Sequence, residues 1–110
     1  MSERVQNLTP FIITLKHLKP KQRKQLAGYI TKEQLQGLEE LSVNIVKNTV
    51  PLQPEDIKLC RRWRKPLKLL ALKRCPAKTK RKLLQQGGFL GALIPVALSV
   101  LGGLFGRNNG

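Results

Sequence analysis

Acidic residues are scarce in this chain and stop altogether at position 56. Six of them (Glu3, Glu33, Glu39, Glu40, Glu55 and Asp56) stand against 21 Lys and Arg in 110 residues, a net charge of +15. These carboxylates form no pattern with the single His17, and no cysteine lies near it in sequence, so neither general acid–base nor nucleophilic catalysis is indicated and an enzyme is not expected. Aromatic residues are equally few. Phe11, Tyr29, Trp63, Phe89 and Phe105 are the whole set, which leaves base stacking unable to serve as the main mode of binding. Cys60 and Cys75 with one histidine fall short of the four ligands of a structural zinc site, and no metal or cofactor is implied. The first apolar run, positions 11–15, is too short for a signal segment, so the two cysteines are read as reduced thiols of an intracellular protein.

What is abundant is positive charge, and it is unevenly placed. Up to position 56, eight basic residues against six acids give +2; from Ile57 onward the balance is +13. Lys58, Arg61, Arg62, Arg64, Lys65, Lys68, Lys73, Arg74, Lys78, Lys80, Arg81 and Lys82 put twelve cations into 25 positions with no acid among them. Such density is unfavourable through self-repulsion unless an anionic partner relieves it. These twelve are the candidate nucleic-acid-binding residues. No zinc-finger, basic-zipper or homeodomain pattern accompanies them, so contact with the phosphate backbone is expected rather than base readout.

The spacing of apolar residues predicts helices throughout. Thr9 and Pro10 suit an N-cap and first helical position before the apolar segment 11–18. Over 21–30, Leu26, Tyr29 and Ile30 share one face, with Lys21, Arg23 and Lys24 outside. Thr31 and Gln34 fit a capping box for an amphipathic helix that carries Leu35, Leu38, Leu41, Ile45 and Val46 and runs to about Thr49. Pro54, Glu55 and Asp56 suit the first turn of the next helix, whose apolar positions are Ile57, Cys60, Trp63, Leu67 and Leu70. Trp63 is thereby expected in the core. Pro66 removes a backbone donor and clashes with the carbonyl at Arg62, which predicts a kink there. Thr79 is placed to cap a last basic turn that ends at Gly87-Gly88.

Positions 87–106 carry no charge, and Phe89 to Phe105 is apolar nearly all round. As helix these 17 residues reach about 25 Å, marginal for a hydrocarbon core of about 30 Å. Pro95 and six glycines weaken a rigid anchor. The stretch reads as a membrane anchor, a membrane-disrupting segment, an apolar plug in an assembly, or a core helix of the same domain. Its membrane- or assembly-contacting candidates are Phe89, Leu90, Leu93, Ile94, Pro95, Leu98, Leu101, Leu104 and Phe105.

Lys-Pro-Lys-Gln-Arg-Lys at 19–24, Pro51-Leu-x-Pro, the basic run from Thr79 into Leu83-Leu84, and Gln86-Gly-Gly-Phe-Leu occur in an order that resembles the short basic proteins of Maverick/Polinton elements and adintoviruses, over positions 18–105. The segment Gly87-Gly-Phe-Leu-x-x-Leu-Ile-Pro95 is also similar to the C-terminal part of the adenovirus core peptide precursor. The resemblance implies a virion core protein, located in the particle and the host nucleus, whose basic half condenses double-stranded DNA while its tail meets capsid proteins or membrane. It also implies processing at Gly87 and Gly88 by an adenovirus-like protease, although Gln85 stands where that cleavage pattern has an aliphatic residue and Leu84 lies one position early.

Together these readings predict an all-α protein: a small bundle of three to four short helices in a basic domain at 1–74, a basic connector at 75–86, and an apolar helical tail at 87–110. The function expected is a viral or mobile-element core protein that binds and condenses double-stranded DNA without sequence preference. The alternative is a membrane-active protein whose basic segment meets anionic lipid. A weaker third reading is an RNA-binding ribosomal-type protein, which the apolar tail disfavours.

Overall fold

In the computed structural model the chain is all-helical, and the residues described are 2–47, 49–86 and 88–106, with side chains described through residue 102. Eight helices follow one another among them: α1 (Glu3–Gln6), α2 (Thr9–His17), α3 (Pro20–Ala27), α4 (Lys32–Val46), α5 (Pro54–Arg62), α6 (Arg64–Ala71), α7 (Ala77–Gln85) and α8 (Phe89–Gly106). The bundle of short helices is present, with more and shorter elements before position 74 than the periodicity suggests.

The first two helices act almost as one. Val5, Leu8, Ile12 and Leu15 recur at steps of three and four and are all buried. Ser2 caps α1 through Val5 N–H, and Thr9, expected as the N-cap of α2, is instead its first residue after Leu8. Its hydroxyl donates to the Gln6 carbonyl at 2.9 Å.

α3 stops at Ala27, three residues earlier than the periodicity predicts, and this turns Tyr29 out of the core face it was expected to share with Leu26 and Ile30. Ile30 is buried, whereas Tyr29 is 84 % exposed. The capping box that opens α4 is formed in both directions: Gln34 N–H donates to Thr31 Oγ1 at 3.0 Å and Thr31 N–H donates to Gln34 Oε1 at 2.9 Å. α4 ends at Val46, short of Thr49, whose hydroxyl donates back to the Asn44 carbonyl.

The α5–α6 segment breaks where Pro66 requires it. Trp63 leaves helical geometry with φ −107° and ψ 29°, and Pro66 falls in the first turn of α6, where its missing N–H costs nothing. The apolar face of α5 is rotated by one residue from that expected. Asp56 is 4 % exposed and Ile57 is 40 % exposed, because Asp56 is turned inward to cap the helix, accepting a hydrogen bond from Gln53 N–H at 3.2 Å. α7 begins at Ala77, so Thr79 lies inside it and is not its cap.

The largest difference concerns positions 75–106. The expected connector is for most of its length α7, and the expected tail is α8, the central core helix, packed against α2, α5 and α7. Phe89, Leu90, Leu93, Ile94, Val96, Ala97, Val100 and Leu101 are buried. α4 is packed between α1 and α6, and α7 lies against α3, α6 and α8. The Cα radius of gyration of 12.9 Å matches the value of about 13 Å for a folded chain of this length, in keeping with α8 inside the bundle. What lets an all-round apolar helix sit here is its outer line. Gly91, Ala92, Pro95, Leu98, Ser99 and Gly102 carry the exposed and half-exposed positions, so Leu98 is the one large aliphatic side chain among them that partly meets water, and Pro95 falls on the exposed side.

α1 and α4 cross at closest approach over Gly37. A Cβ there would stand 2.9 Å from the Arg4 carbonyl oxygen and 3.0 Å from Leu8 Cγ, and the first of these is backbone that cannot swing aside. Gly37→Ala is therefore expected to destabilise the fold by about 1–3 kcal/mol despite the better helix propensity of alanine, read as a lowered midpoint in urea unfolding followed by circular dichroism.

Candidate nucleic-acid interface

Ten of the twelve candidate cations are exposed. Lys58, Arg61 and Arg62 lie at steps of three and four on α5, opposite the half-buried Leu59 and Cys60 that face the core. Arg64, Lys65 and Lys68 continue on α6, whose Leu67 and Leu70 are buried. Lys73 and Arg74 occupy the connection to α7, and Lys78 and Lys82 lie one turn apart on α7 itself. Because α5 packs on α6 and α6 on α7, these cations belong to three consecutive, contiguous helices. No carboxylate lies on that run after Asp56, and Asp56 is buried at the base of α5.

Two candidates are placed differently. Lys80 is the largest fully buried side chain described, and its Nζ forms an ion pair with Glu39 Oε2 at 2.6 Å, the one ion pair among the described residues. It sits at a core position of α7, one turn before the buried Leu84, and so reaches α4 rather than solvent. Arg81 is half-buried, with its guanidinium donating to the Ile30 carbonyl. Lys80 is thus removed from the interface, and Arg81 contributes to it only through its remaining donors. The sequence signal was the four-residue step from Lys80 to Leu84.

A groove of about 340 Å³ lies beside this pair, lined in part by Lys32, Glu39, Lys73, Cys75, Lys80 and Arg81. Arg23, half-buried, donates from Nε to the Leu15 carbonyl at 2.9 Å and ties α3 to the end of α2. Lys16, Lys19, Lys21 and Lys24 are exposed and add to the positive surface from the first half of the chain. Of the other acids, Glu3, Glu33 and Glu40 line a separate groove of about 750 Å³ between α1 and the start of α4, and Glu55 is exposed in the first turn of α5.

Trp63 packs inward as expected, its ring 6.1 Å from that of Phe89 and tilted by 39°. Gly88, at φ +94°, lets the chain turn against the indole, since a Cβ there would stand 2.8 Å from Trp63 Cη2. Of the membrane or assembly candidates, Phe89, Leu90, Leu93, Ile94 and Leu101 are buried, Leu98 is half-buried and Pro95 is exposed. Gly87 and the side chains of Leu104 and Phe105 lie outside the described residues. The bond after Gly88 precedes a buried phenylalanine, so a protease that needs an extended strand across it must first withdraw Phe89 from the core. No single helix among the described residues is long and apolar enough to cross a membrane; α7 and α8 together pass by composition but meet at 97°. Both cysteines are free, and burial, then the Asp56 carboxylate, pushes the Cys60 thiol up, which lowers its thiolate fraction at neutral pH.

No protein family, curated protein or solved structure matches the chain.

The Lys80–Glu39 pair yields a separable prediction. Glu39→Ala leaves a buried ammonium without its counter-charge and is expected to cost about 3 kcal/mol of stability, whereas Lys80→Met keeps the volume without the charge and costs far less. Denaturant melts of the two variants give the comparison.

Proposed function

We propose that the protein binds and condenses double-stranded DNA through its phosphate backbone, without sequence preference. The observation that carries this reading is the run of ten exposed cations from Lys58 to Lys82 on α5, α6, their connection to α7, and α7, with no acid between those two positions; Glu55, in the first turn of α5, is the one exposed carboxylate on these helices. Exposed cations pay little to meet phosphate, and each contact releases a condensed counterion. Phosphate spacing also tolerates a curved helical surface better than base-edge readout does, which fits the absence of any recognition-helix pattern. The resemblance to virion proteins of Polintons, adintoviruses and adenoviruses extends the proposal to a role in packaging a viral or mobile-element genome, with capsid proteins as further partners.

Burial of α8 weighs against the membrane-active alternative. Inserting that helix in lipid requires Phe89, Leu93, Ile94 and Leu101 to leave the protein core first.

Gel shifts with unrelated duplexes at rising salt test the proposal. With about five of the ten exposed cations in contact, the log–log slope of affinity against salt is expected near −4.5, at about −0.9 per contact. Arg61→Glu with Arg62→Glu should flatten that slope by about 2 on every duplex. Binding that ignores salt, or that changes sharply between unrelated sequences, overturns the reading.

A further inference from the structure

The turn between α3 and α4 is fastened to α7 on both sides of a single residue. A Cβ built on Gly28 would stand 2.8 Å from Gln85 Nε2, so the backbone there rests directly on the Gln85 side chain. Two residues on, the Ile30 carbonyl accepts a hydrogen bond from the Arg81 guanidinium. Arg81 and Gln85 are one helical turn apart on the same face of α7. Tyr29 stands between the two points of attachment and is 84 % exposed. It is the most exposed of the large apolar side chains described, and it sits on a turn held at both ends rather than on a loose loop.

Its surroundings are cationic. Arg81, fixed by the carbonyl next to Tyr29, lines the 340 Å³ groove together with Lys32 and Lys73, and the Lys80 charge in that groove is already neutralised by Glu39. An exposed ring on a held turn, one residue from the carbonyl that Arg81 binds and three from Lys32, offers two chemistries on one segment: a flat apolar face for a base and donors for a phosphate. Duplex DNA cannot use the first of these, because its base faces are covered by their neighbours.

We propose that Tyr29 is a stacking platform for an unpaired base of single-stranded nucleic acid, whose adjoining phosphate is held by Lys32, Lys73 and Arg81. The proposal rests on the nucleic-acid reading above and adds a second binding mode to it. Duplex contacts run through the basic faces of α5 to α7, and single strands gain the ring as well.

The full chain and its Tyr29→Ala and Tyr29→Phe variants are titrated with a 12-nucleotide single-stranded DNA, the RNA of the same sequence, and a long blunt-ended duplex of mixed sequence without loops or overhangs. Tyr29→Ala is expected to weaken single-strand binding about tenfold while changing duplex binding by less than about twofold, and Tyr29→Phe is expected to bind like the parent. Far-UV circular dichroism should not change, since the side chain is exposed. An equal loss on all ligands, no loss on either single strand, or a Tyr29→Phe defect as large as that of Tyr29→Ala overturns the proposal. Where the parent binds duplex but Tyr29→Ala leaves single-strand binding intact, the stacking site alone is lost. Where the parent binds no nucleic acid, both readings are lost.

Discussion

A chain with a charge of +15 folds against its own electrostatic repulsion, and in this protein burial of apolar side chains around α8 opposes it. Seven large side chains of α8 are buried, from Phe89 and Leu90 to Val100 and Leu101, against four on α4. At about 1.5–3 kcal/mol for each fully buried side chain, α8 contributes on the order of 10–20 kcal/mol of gross transfer free energy. The amphipathic basic helices could not supply this among themselves, because α5, α6 and α7 each bury only one or two residues fully and carry Lys and Arg over much of their exposed surface. The uncharged helix and the charged ones are therefore two parts of one solution: α8 carries the core so that its neighbours can carry the charge.

That division explains the details at its seams. Gly88 with positive φ lets the chain turn against Trp63, so that α8 leaves α7 at 97° and packs against α5. The small residues Gly91, Ala92, Ser99 and Gly102 occupy most of the outer line of α8, beside Pro95 and the half-buried Leu98, which keeps the exposed apolar side chain small. Lys80 is the one fully buried cation among the described residues, and Glu39 accompanies it, consistent with the cost of burying an unpaired charge. Tyr29 is the converse case, an aromatic left outside on a turn that α7 holds in place.

Much of this was legible in the sequence. The Thr31–Gln34 capping box, the break before Pro66 and the inward packing of Trp63 each follow from local chemistry that tertiary context did not override. What was not legible depends on partners distant in sequence. An apolar segment of 17 residues has no periodicity to say which side is covered, so a core helix and a tail read alike until α2, α5 and α7 are seen around it. Lys80 counts as one more surface cation until Glu39, 41 positions away, is seen against it. Tyr29 fits a helical face only if α3 continues, and α3 ends at Ala27 before a glycine. Asp56 reads as a charge at a helix start, and its inward turn as a cap shifts the buried face of α5 by one residue.

Because α8 is the element on which the rest depends, hydrogen exchange of the full chain is the most direct measurement. Amides at 93, 94 and 96–101 should exchange only through global unfolding, at rates as slow as those in the middle of α4 and with the same dependence on denaturant. Rapid exchange across 93–101 while α4 stays protected would contradict the account, because it would mean that the apolar helix is not the core on which the basic helices are assembled.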